Sequence, residues 1–247
     1  MSPEALWRDV EGQLLYALVA VAGALILPGR TLAERLGLGR GRLGFGRIAL
    51  ALLGFLALSS ALHGAVVWLG LLEGTSLAAI DEVVREASPA HPALVFLAVG
   101  LAPALGEELL FRGFFLRLFE WRWPGLVAVL GSAAVFGVAH LDLVHGTAAF
   151  LLGGYLGAVA QRARSLRPTL LCHATNNSLA AAGAAGWLPE LGQLAEPGQL
   201  ALGFALAAAC LALAVRGARL QAPAPPADAA GVPRGPHEDD PFGPDRR

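Results

Sequence analysis

Charge is what this sequence has least of. Only 15% of its 247 residues are charged while 55% are hydrophobic, whereas a soluble domain carries roughly 25% charged residues. Lysine is absent altogether, so every strongly basic side chain is an arginine. The arginines form no basic tract of the kind that binds nucleic acid, and the net charge of −1 adds no pull toward it. Cysteine is nearly absent too. Cys172 and Cys210 are isolated within apolar segments, which excludes a disulfide framework and reads as two small core residues rather than a nucleophile. The HExxH spacing is missing, so no local motif demands zinc. No internal repeat supports the inverted architecture of a transporter. The first apolar run is led by Glu4, Asp9 and Glu11 where a cleaved signal needs positive charge, so it is expected to remain as a membrane helix.

What remains is a series of long apolar stretches. They predict spans at residues 5–27, 48–72, 92–120, 124–144, 146–160, 168–187 and 199–215, set against a hydrocarbon core about 30 Å thick. The fold class is therefore an all-α, multi-pass transmembrane helical bundle of seven crossings, or eight if the long middle stretch counts as two. Arg30, Arg35, Arg40, Arg42 and Arg47 crowd one connection, Arg162, Arg164 and Arg167 another. Arg117 and Arg122 with Trp121 and Trp123 mark an interface, and Arg216 and Arg219 close the last span. Acidic residues Glu73, Asp81, Glu82, Glu86, Glu190 and Glu196 fall in the opposite connections. The positive-inside rule then puts the arginine loops and the C-terminus in the cytoplasm of a cell, bacterial by expectation, with the bilayer as an obligate partner. Residues 1–220 form the membrane domain. The tail at 221–247, rich in Pro and Ala, is expected to be disordered.

Against that background the stretch Pro103–Gly113 stands out, because it sets two carboxylates and an arginine at membrane depth, where ionisable groups are costly and mark a site. Residues four apart share a helical face, so Glu108 and Arg112 can pair while Glu107 must look elsewhere. A carboxylate left over in a poorly solvated place is a candidate general base. The competing reading makes all three charges a buried structural network. Pro103 removes a backbone donor and Gly106 follows it, so residues 92–120 are one long helix or two half-helices, with irregular backbone that argues for a cavity just before Glu107.

The other polar groups within the spans are few: His140, four residues after Phe136, and His173, four residues before Asn177, with Asn176 facing another way. His63 stands alone and reads as a packed or hydrogen-bonded histidine. Gly153 and Gly157 allow helices to approach closely. Two chemistries fit the cluster. In one, Glu107 and His140 bind and deprotonate a water, and His173 and Asn177 donate to the oxyanion formed on a peptide carbonyl. In the other, Glu107, His140 and His173 hold a divalent metal such as zinc, whose open position carries the water. The metal-free scheme is preferred.

Glu107-Glu108 with Arg112 matches an EExxxR motif, Phe136 to His140 an FxxxH motif and His173 to Asn177 an HxxxN motif, in order and about thirty residues apart. Together they resemble the CPBP family of CAAX proteases and bacteriocin-processing membrane proteins, which includes the type II CAAX prenyl endopeptidases. The resemblance covers residues 92–187. It implies an intramembrane protease in which Glu107 is the catalytic carboxylate, His140 its partner, His173 and Asn177 the oxyanion donors, and Glu108 with Arg112 the support. The substrate it implies is a membrane-associated or lipidated protein or peptide. The rivals are a non-catalytic bacteriocin self-immunity or membrane scaffold protein and a small-solute transporter.

Depth poses one difficulty. At about 1.5 Å per residue, Glu107 and His140 lie roughly 20 and 24 Å from the arginine-bearing ends of their spans, and His173 only about 8 Å from its own. For these side chains to meet, either the helices tilt and the span boundaries differ, or the loop at residues 161–167 dips into the bilayer as a vestibule. The vestibule is preferred, because a hydrolase needs a route for water.

Overall fold

The computed structural model describes residues 3–188 and 196–216. The expected tail at 221–247, and Arg219 and Glu190, lie outside the described residues. Helix α1 spans Pro3–Gly23 and tightens into a 3₁₀ turn at Ala24–Ile26. There follow α2 (Leu32–Arg35), α3 (Phe45–Trp68), α4 (Ser76–Ala87), α5 (Pro92–Arg122), α6 (Gly125–Ala139), α7 (Leu143–Ala163), α8 (Arg167–Ala184) and α9 (Pro197–Val215). Among the described residues, five helices are long and apolar enough to cross a membrane: Leu6–Ile26, α3, α5, α7 and α9. Helix α6 is apolar but shorter, and α8 is interrupted by His173, Thr175, Asn176 and Asn177. The chain is an all-helical, multi-pass bundle.

Two connections carry structure that composition hides. The acidic stretch after α3 contains α4, whose N-cap Thr75 accepts from Ala78 N–H. The arginine-rich stretch after α1 folds inward. Thr31 and Glu34 form a reciprocal capping box on α2, in which the hydroxyl accepts from Glu34 N–H and the carboxylate from the backbone amides of Arg30 and Thr31. Just beyond, Leu36 is wholly buried, packing with Leu27, Leu110, Phe111 and Phe114.

All the arginine-bearing connections meet at one end of the bundle. Arg42 N–H donates to Ala163 O at 2.8 Å, Leu166 N–H to Gly37 O at 2.9 Å, and Ser165 Oγ to Gly39 O at 2.8 Å. Arg164 pairs with Glu120 at 3.2 Å, and Arg162 Nη2 donates to Arg216 O at 3.3 Å. Leu166, completely buried, lies against Gly113, where an added Cβ would come within 3.3 Å of Leu166 Cδ1. Gly113 is about 13 Å inside the Arg122 end of α5 at the ordinary helical rise. The N-terminus of α8 therefore starts deep in the bundle, and this is how His173 reaches the level of Glu107. The expected dip at residues 161–167 takes the form of protein packing against the Gly37–Arg42 segment.

The close helix approach expected at Gly153 and Gly157 is present: added Cβ atoms would meet Phe136 Cδ1 at 2.9 Å and Val129 Cγ1 at 3.1 Å. His63 departs from expectation. It is exposed on α3 rather than packed, near Asp81 of α4. Burial raises the Asp81 carboxyl above its usual range, while His63 and Arg85 oppose that rise.

If residues 28–44 were a solvated loop, truncating Leu36 would cost nothing. Because its side chain fills the core beneath α5, Leu36→Ala is expected to cost about 2–5 kcal/mol, measured as a lowered unfolding midpoint of purified protein in detergent.

Candidate active site

Helix α5 is continuous, so of the two arrangements open in the sequence the single long helix is the one adopted. Its irregularity takes the form of two π-helical stretches, Phe96–Leu101 and Glu108–Phe115. In these, N–H groups reach back five residues instead of four, as Ala102 N–H does to Leu97 O and Leu116 N–H to Phe111 O. The first wide turn ends just before Pro103, whose missing N–H and bulky ring would otherwise disrupt the ladder. The second begins at Glu108 and carries the whole Glu108–Arg112 pair. Phe111 O also accepts from Ser132 Oγ of α6 at 2.7 Å.

Glu108, Arg112 and His173 form a buried triad. Arg112 Nη1 lies 2.9 Å from Glu108 Oε1, and both side chains are fully excluded from solvent. The same oxygen lies 3.0 Å from His173 Nδ1. A carboxylate only accepts, so Nδ1 carries the hydrogen and Nε2 is left for other work. That Nε2 faces Glu107 Oε2 at 3.7 Å. The guanidinium of Arg112 stacks over the Phe136 ring at 4.3 Å, and Phe136 meets His140 and His173 edge-on at 4.8 and 6.3 Å between centroids. Phe136 thus packs between the three polar groups.

His140 caps the end of α6 rather than lying within a span that runs to residue 144. Its Nδ1 sits 2.8 Å from Phe136 O, a carbonyl that can only accept, so Nδ1 carries a hydrogen and in the neutral ring Nε2 is the acceptor. Leu141 follows in the left-handed region at φ +53°, an unusual conformation for a branched residue. This turn sends the chain directly into α7. Glu107 and His140 line one cavity of about 200 Å³ together with Gln13, Tyr16, Phe111 and Ala139. At about 30 Å³ per liquid water, that volume holds several solvent molecules among convergent polar groups.

Asn177 is not on the cavity wall. It is half-buried one turn beyond His173, and its Oδ1 accepts from Asn176 Nδ2 at 3.3 Å, which leaves its own amide hydrogens free to donate. The structure therefore brings Glu107, Glu108, Arg112, His140 and His173 together and sets Asn177 beside them.

Several neighbours were not singled out in the sequence. Gln13 Nε2 of α1 donates to Glu107 Oε1 at 3.3 Å, and Tyr16 stands one turn along. Gly106 makes this possible, since a Cβ there would fall 2.6 Å from both Gln13 O and Gln13 Oε1. On the far side of His140, the His145 ring packs edge-on at 4.3 Å. His145 Nδ1 lies 2.8 Å from Ser76 Oγ, and the Asp142 carboxylate accepts from Ser76 N–H at 2.8 Å and His145 N–H at 2.7 Å. The short spacing from His140 to His145 was a legible hint of this second histidine. Gln13, in a helix that looks like any membrane span, gave none.

The donor set does not fit a metal centre as it stands. His173 has one ring nitrogen against each glutamate, and no group of three His, Cys, Asp or Glu side chains among the described residues is disposed to hold an ion. The trio Glu107, His140 and His173 of the alternative, metal-bound scheme does not close among the described residues.

Residues 89–179 match the family described as Rce1-like, type II CAAX prenyl endopeptidase Rce1-like. The matched segment resembles that family and supports a CAAX-protease assignment. It runs from the start of α5 into α8 and contains every motif residue named above, but not Gln13 or Tyr16. No curated protein and no solved structure matches the chain. With five helices long and apolar enough to cross a membrane among the described residues, the match is consistent with an integral membrane protein of an endopeptidase type.

Two outcomes follow. Arg112→Ala strands the Glu108 carboxylate and uncovers Phe136, and is expected to cost about 3–5 kcal/mol of stability, read from detergent unfolding. At Asp142, the backbone amides of Ser76 and His145 hold the carboxyl below its usual range. A depressed carboxyl stabilises the fold above its unfolded value and loses that contribution as pH falls through the folded one. The amide protection of Ser76 and His145 is therefore expected to drop on acidification below about pH 4, and Asp142→Asn should abolish that dependence.

Proposed function

We propose that the chain is an intramembrane endopeptidase that hydrolyses a peptide bond of a membrane-associated or lipidated protein or peptide. The observation that carries this reading is the single cavity shared by Glu107 and His140, with His173 at the carboxylate's other side. Water held in that cavity gives a proton to the Glu107 carboxylate as its oxygen attacks the scissile carbonyl carbon. The neutral Nε2 of His140 accepts a second hydrogen bond from the same water and fixes its direction of attack. Charge then grows on the carbonyl oxygen. The amide of Asn177 donates to it there, and so does Nε2 of His173 when the ring is the doubly protonated imidazolium, since Nδ1–H is already given to Glu108. The substrate then lies along α8 from one residue to the other. When the tetrahedral intermediate collapses, the proton taken up by Glu107 passes to the leaving amine and the carbon–nitrogen bond breaks.

The supporting residues act through these groups. Glu108 accepts from His173 Nδ1 and so sets which ring nitrogen faces Glu107, while Arg112 pairs with Glu108 and holds it in place. Gln13 fixes the Glu107 carboxylate from α1. The alternative, a scaffold or self-immunity protein of the same family, draws on the engagement of His173 by two carboxylates, which would serve helix packing equally well.

Quantitative proteomics of membrane peptides from cells carrying the native chain, Glu107→Gln or His140→Ala separates the two. The expected result is a set of cleavage products reduced about 100-fold or more in both variants, at equal levels of folded protein. Unchanged products in both variants would support the scaffold instead. Zinc-restorable loss of cleavage after exhaustive chelation would reassign Glu107, His140 and His173 as metal ligands.

A further inference from the structure

The arginine end of the bundle holds a charge arrangement that the active site does not use. Most arginines there have partners. Arg117 and Arg164 share Glu120, Arg35 donates to the carbonyls of Ala24, Leu25 and Gly29, and Arg167 donates to Leu38 O. Glu34 is spent on the α2 capping box. Arg42, Arg47 and Arg162 differ. They come from the loop before α3, the first turn of α3 and the last turn of α7, and the field of the first two falls on the third. The backbone bond from Arg42 N–H to Ala163 O fixes the loop beside α7. Arg162 is anchored by one nitrogen to Arg216 O, while its Nε is buried with no hydrogen-bond partner among the described residues.

No carboxylate among the described residues pairs with any of the three. The first turn of α3 adds to the imbalance, since Gly44 offers no side-chain cap and the positive end of a long helix points the same way. Three guanidiniums and a helix N-terminus gathered without a counter-charge repel one another unless an anion joins them. The surroundings define that anion's shape. Phe45, at the start of α3, is 88% exposed, and Leu53 of α3 and Leu206 and Leu213 of the antiparallel α9 are exposed along the apolar faces that run away from the cluster. The ligand needs an anionic head and an apolar body.

We propose that Arg42, Arg47 and Arg162 bind the phosphate of an anionic phospholipid whose acyl chains lie along the exposed faces of α3 and α9. Arginine forks donate in pairs to phosphate oxygens, so the terminal nitrogens of Arg42, Arg47 and Arg162 are the donors. The lipid neutralises the cluster and staples the loop before α3 to the ends of α7 and α9.

Native mass spectrometry of the full chain in detergent tests this, with phosphatidylglycerol and phosphatidylcholine titrated separately. Arg42→Gln/Arg47→Gln leaves the structural anchor Arg162 in place and removes two charges. It is expected to weaken phosphatidylglycerol binding about thirtyfold, from about 1 kcal/mol for each arginine. Phosphatidylcholine binding should not change. Arg42→Lys/Arg47→Lys should recover most of the loss, and Arg40→Gln/Arg122→Gln, equal in charge, should stay within about twofold because it misses the site. Equal losses in the two Gln pairs would reduce the effect to diffuse surface charge and overturn the proposal. Displacement of the lipid by millimolar inorganic phosphate would identify a free anion as the ligand and overturn it as well. A chain ended after Arg216 that binds phosphatidylglycerol when the full chain does not would assign the arginines to the acidic residues Glu238, Asp239 and Asp240 instead.

Discussion

The polar cluster at the candidate site depends on one buried carboxylate having two partners. Glu108 Oε1 receives Arg112 from its own helix and His173 from α8, at 2.9 and 3.0 Å. Without the arginine, an ionised glutamate at that depth would have to neutralise itself, and without the histidine, α8 would lose its ring contact with both glutamates of α5. The π stretch at Glu108–Phe115 belongs to the same constraint. A wide turn lets Glu108, Arg112 and Phe111 O present themselves inward together, and Ser132 takes up the spare acceptor capacity.

From that fixed point the chemistry divides between two glutamates adjacent in sequence. Glu108 is sealed and spent on structure, whereas Glu107 is only partly buried and opens on a cavity. Phe136 keeps the two regimes apart. One face of its ring carries the Arg112 cation and its edges meet both histidines, so a hydrophobic residue sets the spacing of the polar ones.

The fold class and the pairing of Glu108 with Arg112 were legible because helical periodicity and the cost of membrane charge leave few alternatives. The convergence of His140 and His173 on Glu107 was legible as motifs, and its geometry was not. Counting residues from the arginine loops put His173 far too shallow, and only the inward packing of Leu36 and Leu166 against α5 corrects the depth. A glycine- and arginine-rich loop gives no sign that one leucine within it is core. Pro103 suggested a broken helix, yet two π turns absorb the irregularity, a backbone adjustment with no compositional mark. His63 was misplaced because a lone histidine in an apolar run looks the same whether it faces a neighbour or the outside.

The contact between Gln13 and Glu107 has a consequence for how the site is divided along the chain. The amide that fixes the Glu107 carboxylate comes from the first helix, across a crossing that only a glycine at residue 106 permits. Residues 89–179 are thus not a portable cassette: grafted into a foreign bundle, they would deliver both histidines and both glutamates, with one wall of the chamber missing and the carboxylate untethered.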